Sequence, residues 1–441
     1  MTVASLRQSL VLPDDEHNQT LVGHVHPGDW TNPAPAGRYN LVVIGAGTAG
    51  LVSAVGAAGL GAKVAIIERH LMGGDCLNYG CVPSKALIRA ARAAADVRTA
   101  SRFGVDTGGE PRVDFAAVMA RMRELRADIS HHDSVERLAG LGIDVFLGDA
   151  RFSSPETIEV GGKTLRFSRA VVASGARAFV PPIAGLAEAG YVTNETVFSL
   201  TELPQRLIVV GAGPIGCELA QAFRRFGSEV VVVSLDPTIL PREDPDASAV
   251  VQAAFTREGI TLELGAGVTR VEPRDGRKVV VFERDGKEGE VVGDEVLVAI
   301  GRAPNTDGLG LDAAGIKADR KGVTVDDQLR TTNRRVYAAG DVATPYKFTH
   351  SADAMARMVL QNAFFFGRKK VSSLVIPWST FTDPEIAHVG LYEHEARARG
   401  LDFTSHTVPM REVDRAVLDG DTEGFARVLA DKKGQEAIDK R

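Results

Sequence analysis

The chain opens with polar positions and then changes abruptly. Residues 41–67, LVVIGAGTAGLVSAVGAAGLGAKVAII, are apolar almost throughout. Six glycines between β-branched ends predict strand, tight turn, helix and strand rather than a membrane span. The strand–glycine–helix pattern recurs at LIVVGAGPIGCELAQAF, residues 207–223, and closes with the strand EVVVVS. Between the two units, an Ala-rich pattern predicts a helix from about Pro83 to Ala100, and AAVMARMRELRADI a second one. DVFLG, TIEV and AVVASGA read as short strands; KVVVFE and DEVLVAIG continue the second unit, and VYAAGDV returns to the first. From about Val371 the composition changes, and IPWSTFTDPEIAHVGL begins a third region. Residues 1–38 are polar, with Pro27, Pro33 and Pro35 near their end, and read as an extension packed on the surface or partly disordered.

Composition narrows the function classes. A length of 441 residues allows two or three domains with their own cores. A net charge of −6, with both signs scattered, leaves no basic block for nucleic acid or a membrane surface, so a small-molecule partner is expected. Three cysteines cannot build a disulfide scaffold and fit a reducing compartment. The N-terminus has no charged start followed by an apolar run, so a cytoplasmic location is expected.

The two glycine patterns carry the first chemistry. In Gly45-x-Gly47-x-x-Gly50, glycine permits the tight turn, lets backbone N–H groups approach a pyrophosphate and lets helix pack on strand. The helix N-terminus favours the phosphate charge. Glu68 ends the next strand, where its carboxylate can accept the hydroxyl hydrogens of an adenosine ribose. The second set is Gly211, Gly213 and Gly216; the Glu68 offset lands there on Ser234, with Asp236 close by. A serine can accommodate a 2′-phosphate, but no Arg or Lys lies between Ser234 and Leu240, so NADH and NADPH both stay open. Two dinucleotide sites in one chain point to a flavin and a nicotinamide exchanging hydride.

The second chemistry is GGDCLNYGCVPSK, residues 73–85, which holds Cys76 and Cys81. Zinc needs more ligands than this pair supplies, and the pairs His24/His26 and His131/His132 read as solvated. A structural disulfide over so short a loop constrains the unfolded chain little. A redox pair fits better. Cys81 precedes Pro83, a residue suited to a first helical turn, where the dipole and a cation lower a thiol pKa. Lys85 lies four residues on, on the same helical face.

Taken in order, GAGTAG, GGDCLNYGCVPSK, ASGAR, GAGPIGCE, IGRAPNT and YAAGDV resemble the class I pyridine nucleotide–disulfide oxidoreductases. These flavoenzymes include dihydrolipoamide dehydrogenase, glutathione reductase and mercuric reductase. The resemblance covers about residues 38–435 and leans to the mercuric reductase branch through ILPREDPD and IPWSTFTDPEIAHVGL. It implies an α/β fold with two Rossmann-like domains, for FAD and NAD(P), plus an α+β interface domain. The implied bounds are 39–188 and 308–370 for the FAD domain, 189–307 for the NAD(P) domain and 371–441 for the interface domain, after the extension 1–38.

The resemblance also implies roles. Gly45, Gly47, Gly50, Glu68, Gly74, Asp75 and Asp341 would hold FAD, with Ser174 and Gly175 where the chain leaves that domain. Gly211, Gly213, Gly216 and Ser234 would receive NADH or NADPH, with Gly301 and Arg302 closing that domain. Cys81 would face the flavin, Cys76 the substrate, and Lys85 would pair with Glu218. Electrons would pass from NAD(P)H through FAD to a Cys76–Cys81 disulfide, then to a disulfide or a mercuric-type metal ion. Cys217 matches no catalytic position and reads as a small buried residue. No resident metal is expected.

The third region departs from the pattern. No histidine after Val371 precedes a proline, and no cysteine follows Cys217. The acid–base pair of dithiol reductases and the metal-capturing cysteines of mercuric reductases are therefore both missing. The expectation is a truncated interface domain, a weakened homodimer and an open choice of acceptor. A dihydrolipoamide dehydrogenase-type enzyme, a peroxide-forming oxidase and an FAD-binding pseudoenzyme remain alternatives.

Overall fold

The computed structural model describes residues 11–365 and 367–431. The first ten residues of the expected extension, and the end of the expected truncated domain from 432 on, lie outside the described residues.

Strand Arg38–Ile44 is flanked in parallel by Val64–Glu68 and Lys163–Val172, and Asp144–Leu147 extends the sheet beyond Val64–Glu68. From Leu41 to Ile44 every residue of the central strand is buried, as befits a parallel strand covered on both faces. Val336–Ala338 pairs with the end of Lys163–Val172, so VYAAGDV does return to the first unit. The start of that long strand instead runs antiparallel to Thr157–Val160, which pairs with Arg151–Ser154.

The second unit is a parallel four-stranded sheet in the order Thr261–Leu264, Glu229–Ser234, Arg206–Val210, Glu295–Val298. An antiparallel three-stranded sheet, Gly267–Arg274, Arg277–Arg284 and Lys287–Gly293, packs Val271, Val280 and Phe282 against its Ile208, Val233 and Val296. The chain leaves the first unit and re-enters it side by side, through the ribbon of Ala176–Ala178 with Arg302–Pro304. Both are α/β units with the expected strand–turn–helix entry. The third region pairs Trp378–Thr380 with Ile386–His388, and Phe403–Pro409 with Phe425–Asp431. Among the described residues no helix is long and apolar enough to cross a membrane.

The described part of the N-terminal segment, from residue 11, is built into the first unit rather than only packed on its surface. Helix Glu16–Val25 buries Leu21, Val22 and Val25 in the core of the first unit. Asn32 exchanges two hydrogen bonds with the backbone of Leu147, at 2.9 and 2.7 Å, and the Trp30 indole donates to the Val145 carbonyl at 3.1 Å. These bonds satisfy the outer edge of strand Asp144–Leu147, which is otherwise open to pairing with other chains. The segment also captures two histidines expected to be solvated. His24 bonds the Ser130 hydroxyl at 2.8 Å and His26 the His70 carbonyl, whereas His131 and His132 are exposed as expected.

Candidate active site

Each glycine fingerprint sits where strand passes into helix. A Cβ on Gly50 or Gly216 would collide with the carbonyl of Gly45 or Gly211, so only glycine lets each helix close on its strand. Gly45 and Gly211 take φ of 98° and 109°, in the region that favours glycine. Gly47 and Gly213 cap helices Thr48–Gly59 and Pro214–Phe226, and a Cβ on Gly213 would meet open space. Both helix N-termini could therefore hold a pyrophosphate. Glu68 ends its strand and accepts the N–H groups of Ala46 at 2.7 Å and His70 at 2.8 Å. Burial raises its carboxyl pKa, and these two N–H groups pull it back down.

Ser234 closes the corresponding strand of the second unit, so the offset count is right. The expected role of its side chain is not met: Ser234 is buried, and its hydroxyl accepts the Asp236 N–H at 3.2 Å. The exposed groups at this strand end are Leu235 and Asp236. Arg302 begins the ribbon by which the chain leaves the second unit. It turns out of the second unit toward the first, 3.3 Å from Asp75 and 3.5 Å from Asp341. Asp341 is half-buried, and burial raises its pKa while Arg302 and Lys347 oppose the rise. Gly301 has φ 130°, Gly175 φ 68°, and Ser174 donates to the Asn305 carbonyl at 2.7 Å, which locks the crossing ribbon.

The cysteine pair occupies the turn between two helices. Gly74–Asn78 carries Cys76, and Cys81–Thr99 begins at Cys81 itself, two residues before the expected start. The turn lies directly on the first fingerprint, since a Cβ on Gly74 would come within 2.6 Å of the Gly47 Cα. Asn78 is fully buried and donates to the carbonyls of Met72 and Gly74, at 3.0 and 2.8 Å. Its own carbonyl accepts from Arg126 at 2.8 Å, and Arg126 also reaches Asn18 of the N-terminal helix at 2.6 Å.

Cys76 is half-buried, Cys81 is exposed, and both are free thiols. A hydrogen bond from Cys76, the Thr349 hydroxyl and the Lys85 charge together hold the Cys81 thiol down at about 6, against burial and Asp75. Cys76 is pushed up, first by donating to Cys81 and then by burial. One sulfur is thus set to carry charge and the other to keep its proton. Cys217 is fully buried, its thiol raised to about 12 by burial, and its sulfur contacts the Ala212 carbonyl at 3.3 Å. That is the inert packing role expected of it.

Lys85 Nζ lies 2.7 Å from Glu218 Oε2, across the contact between helices Cys81–Thr99 and Pro214–Phe226. Leu87 and Ala91 of the first helix share a core with Cys217, Leu219 and Phe223 of the second. Glu218 Oε1 accepts the Phe381 N–H at 2.9 Å, and Lys85 sits 4.4 Å over the Phe381 ring. Gln221 exchanges two 2.8 Å bonds with the backbone of Asp383. Three regions of the chain thus meet at the Lys85–Glu218 pair. Thr349, Phe381 and Arg126 belong to this site and went unnoticed in the sequence. Only Phe381 had a signal, inside the STFTDP stretch.

Residues 39–356 match the family described as pyridine nucleotide-disulphide oxidoreductase. The chain belongs to that family. Its cofactors are FAD and NAD(P)H, which fits the two fingerprints and the cysteine turn. Residues 376–438 match the family's dimerisation domain, a match that lends no support to the expected truncation. A mercuric reductase of Bacillus cereus is 36% identical over 396 residues, which is 90% of this chain and 63% of that protein. The chain therefore spans less than two thirds of that relative. A dihydrolipoyl dehydrogenase of Thermus scotoductus is 34% identical over 402 residues, covering 89% of this chain and 85% of the relative. Among solved structures, the HOCl-induced flavoprotein disulfide reductase RclA from Escherichia coli aligns with a TM-score of 0.80 at 30% identity. It covers 91% of this chain and 88% of that one.

Proposed function

We propose that the chain transfers electrons from NAD(P)H to Cys76 and Cys81, and from Cys76 to a small disulfide or a soft metal ion. The observation that carries this reading is geometric: both cysteines sit on the turn packed against the first glycine fingerprint, and Lys85, four residues past Cys81, holds Glu218 at 2.7 Å. Cys81 begins a helix beside Lys85 and is held down, while Cys76, in the short helix before it, is pushed up.

Gly45, Gly47, Gly50, Glu68, Gly74, Asp75, Ser174, Gly175 and Asp341 would hold FAD, and Gly211, Gly213, Gly216 and Gly301 the nicotinamide nucleotide. The domain division that follows is 39–188 with 308–370, 189–307, and 371–441, with a second copy as partner through the last. Bound there, FAD supplies the two-electron relay between the nucleotide and the sulfurs. The protein's own work is positional and electrostatic. Lys85 and Glu218 fix the contact between the two dinucleotide units, and the start of helix Cys81–Thr99 stabilises the Cys81 thiolate. Cys76 keeps its proton until substrate arrives, then attacks a disulfide sulfur or ligates a thiophilic ion as thiolate. The mercuric reductase relatives and the Cu(II) complex of RclA favour inclusion of a metal-ion acceptor, and the RclA name itself favours a disulfide.

The test is an anaerobic titration of the FAD-loaded protein with NADH and with NADPH, followed in the visible spectrum. A long-wavelength thiolate-to-flavin band that disappears in Cys81→Ser is expected. Full reduction without that band would refute the role of Cys81. Turnover with Hg(II), lipoamide and glutathione disulfide then identifies the acceptor.

A further inference from the structure

Helices Cys81–Thr99 and Phe115–Ser130 pack together, with Leu87 and Ala91 of the first sharing a core with Phe115, Met119 and Met122 of the second. Beside that core they leave a groove of about 350 Å³, the size of a small-molecule site. Cys81 and Arg89 line it from the first helix, Arg121 and Leu125 from the second. Arg126 reaches the Asn78 carbonyl at the cysteine turn, so Arg121, five residues earlier, falls toward the Arg89 end. The cations of these two helices divide into two groups. Lys85 is paired with Glu218, Arg92 with Asp383 and Glu385, and Arg98 with Glu110, while Arg123 holds Asp15 and Arg126 the Asn78 carbonyl. Arg89 and Arg121 alone have no partner among the described residues. Both are exposed, and both line the groove, to which no acidic side chain contributes.

We propose that this groove takes the electron acceptor, and that Arg89 and Arg121 select a disulfide bearing a carboxylate on an apolar stem. This rests on the reading of Cys76 and Cys81 as the redox pair and narrows its acceptor. Eight residues of helix separate Cys81 from Arg89, about 12 Å of rise. The groove thus measures its ligand, with sulfur at the cysteine turn and carboxylate at the arginines. Val82, Leu125 and Ile129 supply an apolar wall for the stem. A guanidinium meets a carboxylate through two parallel N–H bonds, and neither arginine has an internal carboxylate to give up first. A free metal cation entering the same groove meets Lys85, Arg89 and Arg121, all of its own sign. The groove therefore favours the disulfide over the metal ion. Both arginines determine specificity and take no part in the exchange between sulfurs.

The experiment compares lipoate with lipoamide, which share ring and stem and differ in a terminal carboxylate against an amide. NADH-driven turnover is measured for the FAD-loaded wild type and for the double variant Arg89→Gln, Arg121→Gln. At low ionic strength the wild type is expected to favour lipoate about tenfold in kcat/KM, from two partly screened charge pairs. The double variant is expected to bring that ratio to about one, with the change carried by the KM for lipoate. Added salt should shrink the wild-type ratio in the same direction, and Arg121→Glu should reverse it. A wild-type ratio near one, or a ratio unchanged in the double variant, would overturn the proposal. Should the wild type reduce neither compound, the reading of the cysteine pair fails, and calorimetric binding to the oxidised, FAD-loaded protein decides the groove by itself. Tighter binding of lipoate than of lipoamide, lost in the double variant, supports the groove; equal binding overturns it.

Discussion

Replacing Arg126 by methionine tests how the N-terminal segment is built into the site. Arg126 is 2% exposed, and its guanidinium bridges the Asn78 carbonyl at 2.8 Å and the Asn18 side chain at 2.6 Å. Burial pushes its pKa down to about 10, which still leaves it charged at neutral pH. Methionine fills a similar volume but leaves two buried acceptors unpaired, each at a cost of about 1–3 kcal/mol. Removing a desolvated cation returns part of that, so a net loss of about 2–4 kcal/mol is expected. For a folding unit of a few hundred residues this lowers the melting temperature by roughly 5–10 °C. Arg123→Met should cost less, because its partner Asp15 is half-buried. Calorimetry on the FAD-loaded protein gives the shift, and amide exchange over residues 74–80 reports loosening of the cysteine turn. A shift below about 1 °C in Arg126→Met, with unchanged exchange, would refute the claim that the segment holds the turn.

Other expectations follow from single contacts. Lys85→Met leaves Glu218 buried with only the Phe381 N–H; since Lys85 is partly exposed, the stability cost should be about 1–2 kcal/mol by urea denaturation. The same variant should shift the Cys81 titration upward. Leu235 is 77% exposed and Asp236 is exposed beside it, so NADH should be preferred; Leu235→Arg should raise kcat/KM for NADPH about tenfold, and no change would refute that placement. In the reduced protein Cys81 ionises more readily when folded than when unfolded. Its contribution to stability is therefore present above the ordinary thiol pKa and is lost as pH falls through about 6. Cys76, pushed the other way, loses its contribution only above the ordinary thiol range. Denaturation midpoints should rise from pH 6 to 8, and Cys81→Ser should flatten the rise.

The parts legible in sequence were those written locally. Gly45 to Gly50 and Gly211 to Gly216 announce their turns through adjacent glycines, and Cys76, Cys81 and Lys85 fall within one stretch. Glu218 was reached only through resemblance, because a single glutamate on an apolar helix carries no pairing signal. What stayed hidden joins distant positions. Asn18 and Arg126 stand 108 residues apart, and Thr349 meets Cys81 across 268. The N-terminal helix misled because its buried Leu21, Val22 and Val25 sit among polar neighbours, so average composition masked a true apolar face. Ser234 shows the limit of counting. The offset found the strand end but not that the hydroxyl would turn inward to the Asp236 N–H.

The most direct test of the central claim is a count of electrons. An anaerobic dithionite titration of the FAD-loaded protein should take up one electron pair for the cofactor and a second for Cys76 and Cys81. Cys81→Ser should take up only the first. Uptake of a single pair by the wild-type protein, or an unchanged count in Cys81→Ser, would show that the two cysteines carry no electrons.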